Sequence, residues 1–178
     1  EKLPGDRYSP RNQKQWQAFR TVSQALFEPA QPFFEKRSEQ QDQHLDNIKQ
    51  HIKTMQEADL EKASPPALSQ LVKTAVNHLK NLDKLSPKDR GQSAKALRRE
   101  MNRINDHLAA GYKKAEQNKN ALIEQAQSLA DIEDLSTAIE SAKELQKQWP
   151  EAGYVIPKTE RTLWKKFRRA NDLVFNRR

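Results

Sequence analysis

Cysteine is absent from the 178 residues, so neither a disulfide framework nor a thiolate metal site can form. Glycine occurs four times, always isolated, at Gly5, Gly91, Gly111 and Gly153. That excludes both a phosphate-cradling Walker loop and a dinucleotide fingerprint, which need clustered glycines. No run approaches the roughly 20 apolar residues required to cross a bilayer. No secretory leader is visible, and the first residue is not Met, so a truncated chain is expected. These absences together lead to the expectation of a cytoplasmic protein without a membrane partner. Apolar residues make up only 35% of the chain, and the mean hydropathy is −1.05. A compact globule needs more core than that. Thin helical hairpins, each helix burying one stripe, do not.

What is present is periodicity. Leu45, Ile48, Ile52 and Met55 recur at helical spacing. So do Leu68, Val72, Ala75, Leu79 and Leu82, then Leu97, Met101, Ile104 and Leu108, then Leu135, Ile139, Ala142, Leu145 and Trp149. No segment alternates strictly, so strands are not expected, and such regularity argues against disorder. Ser9-Pro10, Ser64-Pro65 and Ser86-Pro87 each set a hydroxyl at a helix N-cap and a proline at the first helical position, where the missing N–H costs nothing. Asp89 lies three residues after Ser86 and can complete a capping box. Pro29 and Pro32 are expected to kink or break the first helix. Helices are expected near 10–28, 32–58, 65–83, 87–130, 134–149 and 158–177, with a bend in the fourth at Gly111.

The chain also resembles itself. Near the end it reads Trp149, Gly153, Pro157, Leu163-Trp164, Phe167-Arg168 and Phe175. Near the start it reads Gly5, Tyr8, Pro10, Trp16 and Phe19-Arg20, with the same separations from Gly to Trp and from Trp to Phe-Arg. Spacing makes Phe27 the counterpart of Phe175, whereas local sequence favours Phe34 with Lys36 and Arg37. A middle copy keeps Leu85-Ser-Pro87-Lys88 but has Ala94 where Trp164 stands and Leu97 where Phe167 stands. One such unit cannot bury its own face, so units must stack. The expected organisation is the back half of a repeat at 1–41, a degenerate middle repeat at 42–117 and a complete repeat at 118–178. A chain that opens inside a repeat is expected to belong to a longer protein.

The Leu-rich hairpin, the Trp ahead of Gly and Pro, and the following Leu-Trp, Phe-Arg and terminal Phe with basic residues resemble a repeat of the bacterial family catalogued as Domain of Unknown Function 349. The resemblance is good over 118–178, partial over 5–37 and weak over 42–117. It implies an all-α, elongated array of long antiparallel helical hairpins, about two and a half repeats here. It supplies no active site.

The residues themselves offer little chemistry. His44, His51, His78 and His107 are scattered, although His44 and His51 can share a face, and no ligand set accompanies them. Ser9, Ser64 and Ser86 sit at caps, and the acidic residues Asp131, Glu133, Asp134, Glu140 and Glu144 read as a solvated face or as N-terminal dipole partners rather than an acid/base pair. No catalytic residue, metal site, cofactor or small-molecule substrate is expected. Trp16, Phe19, Trp164 and Phe167 have the types that stack on bases, but their helical spacing favours packing, with Trp149 as an elbow plug.

Charge is the one suggestive feature. The formal net charge is +8 and the pI about 9.7. Residues 157–178 carry +6 and residues 87–117 carry +4, whereas residues 118–156 carry −4. Lys158, Arg161, Lys165, Arg168 and Arg169 lie away from the apolar stripe, and Lys88, Lys95, Arg98 and Arg99 repeat the pattern in the middle copy. Arg20 is the counterpart of Arg98 and Arg168. The middle copy lost its aromatics and kept these charges. The functional expectation is a non-catalytic scaffold that contacts nucleic-acid phosphates, RNA before DNA. The alternative is an adaptor that binds acidic protein partners or self-associates through its hairpins. The plainer reading of the charges is a solvated face, or basic helices docked on acidic hairpins.

Overall fold

A computed structural model describes residues 10–177. It contains five α-helices: α1 (Pro10–Glu57), α2 (Pro65–Lys80), α3 (Pro87–Ser128), α4 (Leu135–Gln148) and α5 (Pro157–Phe175). Short 3-10 turns follow α2, α3 and α4 at Leu82–Lys84, Leu129–Asp131 and Pro150–Ala152. Among the described residues there are no strands. The fold is an all-α, elongated array of long helices. At 1.5 Å per residue, α1 alone runs about 72 Å and α3 about 63 Å.

Two cores are strung along α3. The second half of α1, all of α2 and the first half of α3 enclose Ile48, Met55, Leu68, Ala75, Leu85, Leu97, Ile104 and Leu108. The second half of α3, with α4 and α5, encloses Leu122, Ala126, Ala138, Ala142, Trp149, Phe167 and Val174 among others. Among the described residues, α1 and α2 touch neither α4 nor α5. The continuous helix α3 therefore joins the two three-helix units, ending one and starting the next. Stagger follows from this sharing. The Arg103 guanidinium of α3 donates to the Met55 carbonyl near the end of α1, and α3 then runs on to Ser128.

Local signals explain most boundaries. Ser64 caps α2, its hydroxyl accepting from the Ala67 N–H at 3.4 Å, with prolines filling the first positions. Asp134 does the same for α4, accepting from the Thr137 N–H at 3.0 Å. At α3 the Ser86 hydroxyl instead donates to the Asp89 carboxylate, so the two side chain–backbone bonds of the expected capping box are replaced by one bond between the side chains. Ser9 lies outside the described residues. Gly111 sits on an open surface within α3, and the helix continues through it.

The expected division of the first helix fails. Pro29 and Pro32 do not divide the first helix, and the separate segments expected at 10–28 and 32–58 are a single α1. The two prolines are three residues apart, so both missing donors fall within one turn. Good helix formers flank that turn, and a Gln31–Glu35 side-chain hydrogen bond of 3.1 Å spans its far edge.

Candidate nucleic-acid interface

Each elbow reverses the chain between a hairpin and the next long helix. At the second elbow Gly153 has φ +111°, in the left-handed region that only glycine adopts readily. A Cβ there would also lie 2.7 Å from the Ala115 Cβ of α3. That close approach lets Val155 seat in the core, and it sets the start of α5 beside the middle of α3.

Trp149 plugs this elbow, as its position before Pro150 implied, and is only 4% exposed. Phe167 stacks on it with ring centroids 4.3 Å apart, and Trp164 meets it edge-on at 5.6 Å. The indole N–H donates to Glu160 Oε1 at 2.9 Å. Lys119 comes up from α3 beneath the ring, its Nζ 4.5 Å from the centroid and 2.8 Å from Glu160 Oε2. An ammonium that is 3% exposed needs such partners, since an unpaired buried charge is very costly. This network is not singled out from the sequence, although one signal for it stands there. Lys119 falls in phase with Ala115, Leu122 and Ala126 on the buried side of α3, where a lysine requires an explanation. Glu100 is the parallel case in the first unit. It is 3% exposed and held by Arg103 at 3.0 Å and Arg99 at 3.3 Å.

The basic residues singled out from the sequence are all exposed: Arg20 on α1, Lys88, Lys95, Arg98 and Arg99 on α3, and Lys158, Arg161, Lys165, Arg168 and Arg169 on α5. On α5 they lie opposite Leu163, Phe167, Ala170 and Val174, which face the core. On α3 they lie opposite Leu97, Ile104 and Leu108. Their ion pairs are few. Arg99 reaches Glu100, and Arg168 reaches Asp172 at 3.8 Å. Among the described residues the others make no ion pair, so these helices are not clamped onto acidic hairpins by their charges. Arg20 stands apart from the rest, on the first half of α1, which neither unit contacts.

The aromatic residues divide. Phe167 is fully buried and Trp164 is 43% exposed. Trp16 and Phe19 are 66% and 65% exposed, contrary to the packing expected from their spacing. Spacing gives a face, and a face is buried only where other helices cover it. Nothing described covers the first half of α1.

Two of the histidines come together. His51 Nε2 donates to the Leu71 carbonyl at 2.9 Å, and its ring lies 5.3 Å from that of His78. Burial, then the neighbouring His51 and His44, push the His78 pKa below its ordinary value. Among the described residues no three His, Asp or Glu side chains are grouped so as to hold a metal ion. Among them, too, no helix is long and apolar enough to cross a membrane.

Comparison with known families places a domain described as Domain of Unknown Function (DUF349) at residues 91–158. The matched stretch starts in the first turns of α3, takes in α4 and the Gly153 elbow, and stops as α5 begins. It thus covers the connecting helix as well as the 118–158 part of the segment whose motifs carry the resemblance. No curated protein and no solved structure matches the chain.

Proposed function

We propose that this DUF349-bearing array is a non-catalytic scaffold whose outward basic faces contact nucleic-acid phosphates, RNA before DNA. The observation that carries the reading is recurrence. Lys88 and Lys158, Lys95 and Lys165, Arg98 and Arg168, and Arg99 and Arg169 hold matching positions on α3 and α5, all exposed and opposite the core. Solubility alone asks for charge, but not for the same charges at the same register after the aromatic residues beneath have been replaced. Long side chains projecting from rigid helices suit phosphate contacts, which position a polyanion without reading its sequence.

The test replaces Lys95, Arg98, Lys165 and Arg168 together by Gln. Binding to RNA and DNA of unrelated sequences weakens about equally, the dependence of log affinity on log salt flattens, and the melting temperature barely moves. A variant that binds as the parent does removes these faces from the interface.

A second reading, an adaptor that binds protein, draws on a different observation. The first half of α1 exposes Trp16, Phe19, Leu26, Phe27, Phe33 and Phe34 together, and phosphate contacts have no use for such a surface.

A further inference from the structure

The exposed apolar residues of α1 are not scattered. Trp16, Phe19, Val22, Leu26, Phe27, Phe33 and Phe34 lie on one side of the helix. At about 100° per residue, that side is the one that further along carries Leu45, Ile48, Ile52 and Met55. Those later residues pack against α2 and α3. The uncovered face thus continues directly from an established interface. It is also far too apolar over too many turns for a helix left in water.

α5 indicates what belongs on it. Trp16 and Phe19 hold the positions of Trp164 and Phe167, and Leu26 and Phe27 those of Val174 and Phe175. In α5 those positions seat on the hairpin formed by the second half of α3 with α4, where Trp149 supplies the ring on which Phe167 stacks. In α1, Trp16 and Phe19 contact each other edge-on at 5.9 Å, with no third ring beside them among the described residues. α3 follows the same rule: its first half closes the hairpin of α1 and α2, and its second half opens the next unit. Both hairpins of the described chain are already filled, one by α3 and one by α5.

From this we infer that the first half of α1 is the closing helix of a further three-helix unit, and that its face takes a two-helix hairpin of the α3–α4 kind supplied from outside residues 10–177. The partner brings a leucine- and alanine-rich groove and a Trp149-like plug that completes the ring cluster with Trp16 and Phe19. Asn12 stands where α5 has Glu160, so this partner does not need the buried lysine that Glu160 neutralises in the second unit. The inference concerns the adaptor face and is independent of the basic faces.

The experiment keeps the whole chain and adds a hairpin. A second copy of residues 112–152 is fused ahead of Gly5, the sequence counterpart of Gly153, with Asn12→Glu so that the copied lysine meets a carboxylate. Hydrogen exchange is then compared with the parent. The expected result is a monomer in which amides 10–28 exchange about 100-fold or more slowly than in the parent. Trp16→Glu with Phe19→Glu in the fused chain abolishes that protection. The inference fails if amides 10–28 exchange as in the parent while residues 65–175 keep their protection. It fails equally if the parent sediments as a dimer that the same two substitutions make monomeric, because the face then belongs to a second copy. Neither outcome depends on nucleic acid, so the scaffold reading stands or falls separately.

Discussion

At the residue scale, two tryptophans that look alike in the sequence have different roles. Trp149 is buried, stacked on Phe167, bonded through its indole N–H to Glu160 and underlain by Lys119. Trp164 touches the same cluster with nearly half of its surface in solvent. Trp149→Ala is therefore expected to cost about 3–5 kcal/mol, in the range for large aromatics removed from a core, and Trp164→Ala about half of that or less. Thermal or urea melts of the two variants check the order. Periodicity identified both residues and could not rank them, because the difference lies in what α3 and α4 bring to each ring. The sequence located the basic residues better: exposure was legible from their distance to the apolar stripes. Lys119 and Glu100 are harder to read, each being a charged residue in a core phase: Lys119 finds its partner, Glu160, on another helix, whereas Glu100 is paired within α3 by Arg99 and Arg103.

Residues also set the pH response. His78 has its pKa held below the ordinary 6.5, first by burial and then by His51 and His44. The folded protein therefore takes up this proton less readily than the unfolded chain. The contribution to stability is whole above about pH 6.5 and is lost as the pH falls from there through the lowered folded value. The melting temperature should drop between pH 7 and pH 5.5, and His78→Gln should flatten that drop. An unchanged slope in the variant would assign the acid sensitivity to other groups.

At the scale of elements, helix ends were more legible than helix continuity. Ser64 and Ser86 mark starts because a short polar side chain ahead of a helix, with proline behind it, is a local signal, whatever the rest of the chain does. The cap at Asp134 carries no proline and was read only as part of an acidic face. Pro29 and Pro32 misled because their effect depends on how the flanking turns compete with the two lost hydrogen bonds. The elbow is the element most sensitive to a single atom. Gly153 combines a positive φ with a 2.7 Å approach of any added Cβ to Ala115. Gly153→Ala should destabilise by about 1–3 kcal/mol through backbone strain alone, with the contact adding to it. Gly91→Ala is the control. That glycine lies in the open on α3, with nothing near the added Cβ, and a helix interior favours alanine. If both variants melt alike, the elbow geometry is wrong.

At the scale of the whole molecule, helix length decides the architecture. Self-similarity in the sequence implied stacking, and in the structure one long helix is shared: α3 belongs to both cores. The exposed stripe on α1 was not legible as exposed, since the same pattern on α5 is buried and only the neighbours differ. Shape follows from shared helices. A compact protein of this length would have a radius of gyration of about 16 Å, and a particle built on helices of about 60–70 Å should exceed 20 Å by solution scattering. A value near the compact figure would mean that the units fold back on each other.

Whether the recurring basic faces engage phosphates is decided most directly by one titration. Fluorescence anisotropy of labelled single-stranded RNA and of duplex DNA is followed against the parent chain over a series of salt concentrations, starting low, where polyanion attraction is least screened. Binding is expected to weaken linearly in log salt, with a slope of about −0.7 per phosphate contact for single strands and about −0.9 for duplex, and with little dependence on sequence. No binding at the lowest salt concentration would remove nucleic acid as the partner of these faces.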